Sequence, residues 1–327
     1  MIGTRTPFRM SFIGGGSDLK EFYARSSGCV ISTSIDKYMY IFVHPFFDNR
    51  IQIKYSKTEL VDQINDIKHP IVREILKKFD LVGIDINSIA DIPAGTGLGS
   101  SSSYTVGLLN ALYKYTNQQV SPELLARQAC KIEIDILKEP IGKQDQYAAA
   151  YGGLNIIHFY SNGEVEIEPI VMEDDAYAQL QENLLIFYTG KNRSASDVLH
   201  DQKQNLINEE TKFDYQMQMT KLVEKAKKYL CESDLVGFGK TLDENWQLKK
   251  SLSNKISDTE IDDIYSLAIK NGALGGKLLG AGGGGFLLFY CRKDNQDRVR
   301  KALSKLTEFK FKFDSIGSKV IYYETLL

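Results

Sequence analysis

The chain has 327 residues, 43% of them apolar and 25% charged, a balance that supports a folded protein of two domains and excludes disorder. Lys and Arg number 40 against 42 Asp and Glu, for a formal net charge of -2, and no block of like charges marks a nucleic-acid or anionic-membrane partner. Cys29, Cys130, Cys231 and Cys291 lie far apart, as do His44, His69, His158 and His200; neither a disulfide framework nor a zinc cluster is expected, and a reducing cytoplasm fits.

The N-terminal MIGTRTPFRMSF lacks the apolar run of a signal peptide, and Ile2 stands where myristoylation would need glycine. Next comes FIGGGSD, Phe12 to Asp18. Its three glycines let a ligand approach the backbone, and Asp18 can accept hydrogen bonds from hydroxyl groups; a bulge or turn suits the same residues. Gly28 to Val43 is rich in β-branched and aromatic residues and predicts paired strands. Ile84 to Ile92 is a further short apolar run.

Pro93 to Ser103 reads PAGTGLGSSSS, and the apolar Leu108, Leu109, Leu112 and Tyr115 that follow share a helical face. Glycines 95, 97 and 99 allow backbone N–H groups to converge at a helix N-terminus, a setting that suits an anion. The spacing is neither the Rossmann G-x-G-x-x-G nor a Walker A loop. Gly239-Lys240-Thr241 mimics the end of a Walker loop, but Asp234 stands where that loop needs its first glycine.

Ser121-Pro122-Glu123 predicts a capped helix start, with a stop at Pro140. Asp145 to Tyr151 reads as a short helix closed by Gly152-Gly153, and Ser161 to Glu164 as a hairpin turn. Asp145 at a helix start is ordinarily a cap, and Glu133 on the preceding helix is ordinarily a solvated charge. From Glu182 the texture changes: a strand, NLLIFYT, then long polar helices to about Cys231. Ser257 to Glu260 predicts a capping box, with Gly272 closing its helix. The segment LLGAGGGGFL, Leu278 to Leu287, spends four consecutive glycines, a cost in chain entropy that close packing beside a phosphate site would justify. The uncharged stretch Leu278 to Cys291 is too short and glycine-rich to span a bilayer. The end reads strand, helix, strand. Two domains are expected, 1–180 and 181–327.

Taken in this order, PFRMSFIGGGSD, PAGTGLGSSSS and KLLGAGGGGF resemble the three motifs of the GHMP kinases: the N-terminal substrate motif, the phosphate loop P-x-x-x-G-L-G-S-S and the C-terminal glycine motif. Within that family RTPFRMSFIGGGSDL, GCVISTSIDKYMYIFV, GKQDQYAAAYGGLN and YTGKNRSASDVL look like a subgroup whose acceptor is a heptose 7-phosphate, although Ser17 stands where threonine is usual. Galactokinase-like members carry Glu-His in place of Gly15-Gly16, which argues against galactose.

The resemblance implies an α+β fold of two domains. The first would be like ribosomal protein S5 domain 2 and bind ATP, the second ferredoxin-like, with the active site in the cleft between them. It implies ATP and Mg2+ as cofactors and a sugar phosphate as small-molecule partner. Asp145 matches the aspartate that takes the acceptor's proton, and Arg9 a basic residue paired with it. Glu133, twelve residues earlier, and Ser101, or its neighbour Ser100, match the magnesium ligands. Pro93, Gly95, Gly97, Leu98, Gly99, Ser100, Ser101 and Ser102 match the ATP phosphate loop. Gly15, Gly16, Ser17, Asp18, Gly283 and Gly284 fall to the acceptor. These roles imply a kinase that phosphorylates the anomeric hydroxyl of a heptose 7-phosphate. A kinase for another sugar such as fucose, and a non-catalytic nucleotide- or sugar-binding module, are the alternatives. The acceptor's own phosphate needs a second anion site, for which Lys191 and Arg193 in the turn Thr189 to Ser194 are candidates; a solvated basic turn between domains suits the same residues equally.

Overall fold

The computed structural model describes residues 1–191 and 195–324. The chain opens with β1 (Ile2–Ile13), one helical turn α1 (Lys20–Tyr23), β2 (Gly28–Pro45), β3 (Ile51–Lys54), β4 (Thr58–Val61) and α2 (Pro70–Phe79). It continues through β5 (Ile84–Ala90), α3 (Ser100–Tyr115), α4 (Pro122–Cys130), α5 (Gln144–Tyr151), β6 (Leu154–Phe159), β7 (Val165–Pro169) and α6 (Asp174–Glu182). Then come β8 (Leu184–Tyr188) and four helices, α7 (Ala195–Asn208), α8 (Glu210–Cys231), α9 (Leu235–Lys250) and α10 (Thr259–Lys270). The last elements are β9 (Gly275–Leu278), β10 (Phe286–Tyr290), α11 (Lys293–Ala302), β11 (Thr307–Glu308), β12 (Phe313–Asp314) and β13 (Lys319–Tyr323).

Among the described residues, nine strands form the first sheet, with β13-β1-β2-β5-β3-β4 as its spine and β6, β7 and β12 joined through β2. Every position of β1 is buried except the half-buried Arg5, because helices α3, α5, α8 and α9 all pack on it. Gly28 to Pro45 is one strand rather than the expected pair. Its first third pairs with β6, its last third with β5, and β1 runs along most of it. Asp36-Lys37 at its middle lacks the glycine that a two-residue hairpin turn such as Asp-Gly takes, and the chain bulges instead of turning back. The register shift falls opposite Pro7, which has no N–H to give to a ladder.

The second sheet runs β11-β8-β10-β9, every pair antiparallel. Numbered within this unit the order is 4-1-3-2, with helices between its first and second and its third and fourth strands; this is the ferredoxin-like arrangement. Side chains alternate along β10 as strand geometry requires. Phe286, Leu288 and Tyr290 join the core shared with the first sheet, whereas Leu287 and Phe289 join a second core around Trp246 and Tyr265. The second sheet is therefore a wall between two cores, and the α+β class follows.

Two local expectations change. Asp258, not Ser257, caps α10, receiving the Ile261 N–H at 2.9 Å; Glu260 reaches Lys191 at 2.7 Å instead of closing a box. The helix ahead of Pro140 does not run on as an α-helix after Cys130 but widens into a π-helical turn, Lys131–Ile136. Finally, β12 and β13 leave the second unit and pair with β2 and β1. By sheet membership, residues 313–323 belong with the first half of the chain, which one cut at residue 180 does not express.

Candidate active site

A cleft of about 960 Å³ runs past the N-terminus of α3 and is lined from both units, by Arg9, Asp18, Gly97, Asp145, Lys249 and Lys277 among others. The segment between β5 and α3 has the geometry of an anion cradle. Gly95, Gly97 and Gly99 all sit in the left-handed region, at φ +80°, +84° and +79°, which only glycine adopts at no steric cost. No side chain caps α3, so the N–H groups of its first turn point free of the helix and carry the positive end of its dipole. Pro93, Gly95, Gly97, Gly99, Ser100, Ser101 and Ser102 line the cleft, while Leu98 is buried.

The C-terminal glycine segment holds this loop from behind. A Cβ on Gly97 would lie 2.4 Å from Leu279 O, one on Gly280 2.5 Å from Gly97 Cα, and one on Gly285 2.6 Å from Thr96 O. The two glycine motifs thus meet backbone against backbone. Gly283 and Gly284, expected at the acceptor, are used differently: Gly283 N–H donates to Ile256 O at 2.9 Å, and a Cβ on Gly284 would lie 2.8 Å from Lys191 O. They pack against neighbouring backbone, and only Gly280 and Ala281 of this segment line the cleft.

Arg9 and Asp145 face each other at the front of the loop. Arg9 Nε and Nη2 donate to Asp145 Oδ1 and Oδ2, both at 2.8 Å, and Nη1 donates to Gly97 O at 2.7 Å. The Arg9 backbone N–H donates to Leu98 O at 3.1 Å. A buried arginine bonded through all three of its nitrogens is a rigid brace, here tying the loop to the aspartate.

Glu133 lies on the π-helical turn, fully buried, with Ser101 Oγ donating to Oε1 at 2.8 Å and Gln146 Nε2 to Oε2 at 2.9 Å. Burial raises its carboxyl to about 7, with nearby Asp145 adding to the shift and the Gln146 and Ser101 bonds opposing it. The widened turn is a recurrent feature of functional sites. A buried carboxylate oxygen and a serine hydroxyl beside a phosphate cradle match the few oxygen ligands that magnesium takes when nucleotide phosphates and water complete its shell, so the residues present fit that ion.

In the same cleft Asp18 is buried and accepts from Gly16 N–H at 3.0 Å and Gln144 N–H at 3.3 Å. Burial and then Asp145 push its carboxyl above the usual carboxylate range. Gly142 makes room for it, since a Cβ there would lie 2.0 Å from Asp18 Oδ2. Gly15 and Gly16 line the cleft, but Ser17 is turned away and donates to Cys29 O at 2.9 Å. Lys191 is held by Asp258 at 2.9 Å and Glu260 at 2.7 Å and does not line the cleft. Arg193 lies outside the described residues.

Two lysines that the sequence reading passed over do enter the cleft: Lys249 from α9 and Lys277 from β9. The available signal was a lysine at 277 set among Gly275, Gly276, Leu278 and Leu279, a charge inside a strand buried throughout. An aromatic group lines the same cleft, with His69 stacked on Tyr104 at 4.9 Å and set edge-on to Tyr55 at 4.8 Å.

Known proteins resemble this chain in sequence and in fold. Residues 65–153 match the GHMP kinases N terminal domain and residues 226–308 the GHMP kinases C terminal domain. The chain is 30% identical to D-glycero-alpha-D-manno-heptose 7-phosphate kinase of Campylobacter jejuni, over 97% of this chain and 98% of that one. It is 25% identical to galactokinase of Pyrococcus furiosus, over 95% and 94%. Among solved structures, a D-glycero-D-manno-heptose 1-phosphate kinase from Bacteroides thetaiotaomicron superposes with a TM-score of 0.82 at 23% identity, covering 99% of this chain and 100% of that one. The chain belongs to the GHMP kinases.

Proposed function

We propose that the protein is an ATP-dependent sugar kinase that transfers the γ-phosphoryl group to the anomeric hydroxyl of D-glycero-D-manno-heptose 7-phosphate, giving the 1,7-bisphosphate and ADP. The observation that carries this reading is the bidentate Arg9–Asp145 pair, set between the phosphate cradle and the pocket of Asp18, Gly15 and Gly16. The full-length likeness to the Campylobacter jejuni enzyme supports the choice of acceptor.

In the proposed reaction the acceptor oxygen bonds to the γ-phosphorus and the bond to the β–γ bridging oxygen breaks. Asp145 takes the hydroxyl proton. Arg9 fixes the carboxylate and places positive charge beside the transferring group, which is what phosphoryl transfer asks of a protein. The N–H groups of residues 95 to 102 hold the nucleotide phosphates, and the pocket of Tyr55, His69 and Tyr104 offers the base a stacking surface. Asp18 orients the sugar hydroxyls. Glu133 and Ser101 would hold magnesium, which when bound supplies charge neutralisation on the nucleotide phosphates. No described helix is long and apolar enough to cross a membrane, and a cytoplasmic place, where ATP is supplied, fits the reading.

The test is an ATP-consumption screen over hexoses and heptoses, each with and without phosphate. Turnover is expected to be fastest on the heptose 7-phosphate. Faster turnover on free fucose would replace the acceptor, and nucleotide binding without any turnover would replace the enzyme by a binding module.

A further inference from the structure

The cleft holds more positive charge than the reaction above uses. Arg9 is matched by Asp145. Lys249 and Lys277, only 5% and 3% exposed, flank Gly15 on the acceptor side. Lys249 Nζ donates to Gly15 O at 3.4 Å, and Lys277 Nζ lies 4.0 Å from where a Gly15 Cβ would stand. Lys249 has a second bond to Gln202 Oε1 at 2.9 Å, so its partners are neutral. Among the described residues Lys277 Nζ has no partner within hydrogen-bond or ion-pair distance. The acid in this part of the cleft, Asp18, spends its oxygens on the N–H groups of Gly16 and Gln144.

Buried ammonium groups without a paired carboxylate are costly, and such a group either gives up its proton or takes its counter-charge from what binds beside it. Burial lowers both ammonium groups, Lys249 to about 8, and Lys277 is pushed down further by Lys249 and Arg9, while Asp18, which is ion-paired to neither, opposes the shift in both. In the reading proposed above the nucleotide phosphates take the cradle at residues 95 to 102, which leaves the lysines beside Gly15 for a second anion.

We infer that Lys249 and Lys277 seat the phosphate that the acceptor already carries. This rests on the reading that the acceptor is a sugar phosphate, and it moves the second anion site from the turn after β8, where Lys191 is already paired, to the wall between α9 and β9. Lys277 keeps three donors free and Lys249 one beyond its bonds to Gly15 O and Gln202 Oε1, and a tetrahedral dianion can accept all four where a single hydroxyl oxygen accepts at most two. Asp18 then reads the hydroxyls between that phosphate and the anomeric carbon, which the lysines hold at a fixed distance from Asp145.

The experiment compares kcat/KM for D-glycero-D-manno-heptose 7-phosphate and for the same heptose without phosphate, in the wild-type chain, Lys277→Met and Lys249→Gln. Each variant keeps most of the side-chain volume and removes the charge. The preference for the phosphorylated acceptor is expected to fall by about ten- to a hundredfold in each. Lys277→Met is also expected to melt at or above the wild-type temperature, since it relieves a buried charge. If one variant does not fold, the other gives the same ratio. A preference that survives in the folded variants overturns the lysine seat alone. An equal loss with both acceptors overturns it too, assigning the lysines to the transferring group. A wild-type chain with no preference for the phosphorylated sugar refutes the sugar-phosphate reading itself, and the seat with it.

Discussion

Replacing Gly97 by alanine separates what the phosphate cradle needs from glycine. Two costs attach to that change. The first is conformational: φ of +84° places an L-residue in the left-handed region, at about 1–2 kcal/mol. The second is steric. The new Cβ would lie 2.4 Å from Leu279 O, where carbon and oxygen ordinarily stand no closer than about 3.3 Å, so one backbone must give way by about 1 Å. A displacement of that size at a phosphoryl-transfer site costs on the order of 10²-fold in rate. Gly163, in the β6–β7 turn, supplies the control: its φ is +89° and its nearest neighbour to a Cβ is Lys143 Nζ at 3.7 Å. Gly163→Ala therefore bears the conformational cost without the collision. Gly280→Ala meets the same contact from the opposite side, at 2.5 Å from Gly97 Cα. Melting curves and ATP-dependent steady-state kinetics on the three variants are the assay. All three should lose some stability, whereas only Gly97→Ala and Gly280→Ala should lose about a hundredfold in kcat/KM for ATP. If Gly97→Ala keeps its rate as Gly163→Ala does, the contact between the two glycine motifs does not position the cradle.

Two further outcomes are expected. Asp145→Asn should fold and lose about 10²–10⁴-fold in kcat, the usual cost of removing a general base; kcat near the wild-type value would remove Asp145 from that role. Glu133→Gln resembles the neutral form that burial already favours, with the carboxyl at about 7, so its melting temperature should scarcely move while the magnesium concentration for half-maximal rate rises. An unchanged magnesium titration would leave Glu133 with only the Ser101 and Gln146 bonds to hold.

The glycine cradle, Asp145, Arg9 and Glu133 could be singled out in the sequence because their chemistry is local or their order is distinctive. Three glycines at alternate positions ahead of a serine-rich helix start have few structural uses. Other features depend on packing that no short window contains. Lys249 stands beside Lys250 in the last turn of α9, where basic residues ordinarily serve the helix dipole. Only the fold separates them: Lys250 pairs with Asp262 at 3.1 Å near the surface, while Lys249 turns inward to Gln202. The glycines 282–285 were visible as an oddity, yet their neighbours, Ile256, Lys191 and Thr96, are distant in sequence. Gly28 to Pro45 has the composition of strands but no Asn-Gly or Asp-Gly pair to divide it, and its bulge answers Pro7 on another strand.

The return of β13 to β1 bears on how the chain is made. Ile2 to Arg5 pair with Lys319 to Tyr323, Thr6 Oγ1 shares a hydrogen bond with Ser318 Oγ at 2.8 Å, and Gly317 sits against the backbone at Ala150, where a Cβ would lie 2.1 Å from the carbonyl oxygen. During synthesis from the N-terminus these contacts have no partner until residues 317–323 have emerged. Until then the outer edge of β1 offers unpaired N–H and C=O groups to any passing strand. A truncation before residue 313 would leave that edge open permanently, so damage at the C-terminal side should appear as aggregation through the N-terminal sheet. The sheet whose first strand is translated earliest is closed only by a strand from the far end of the second unit.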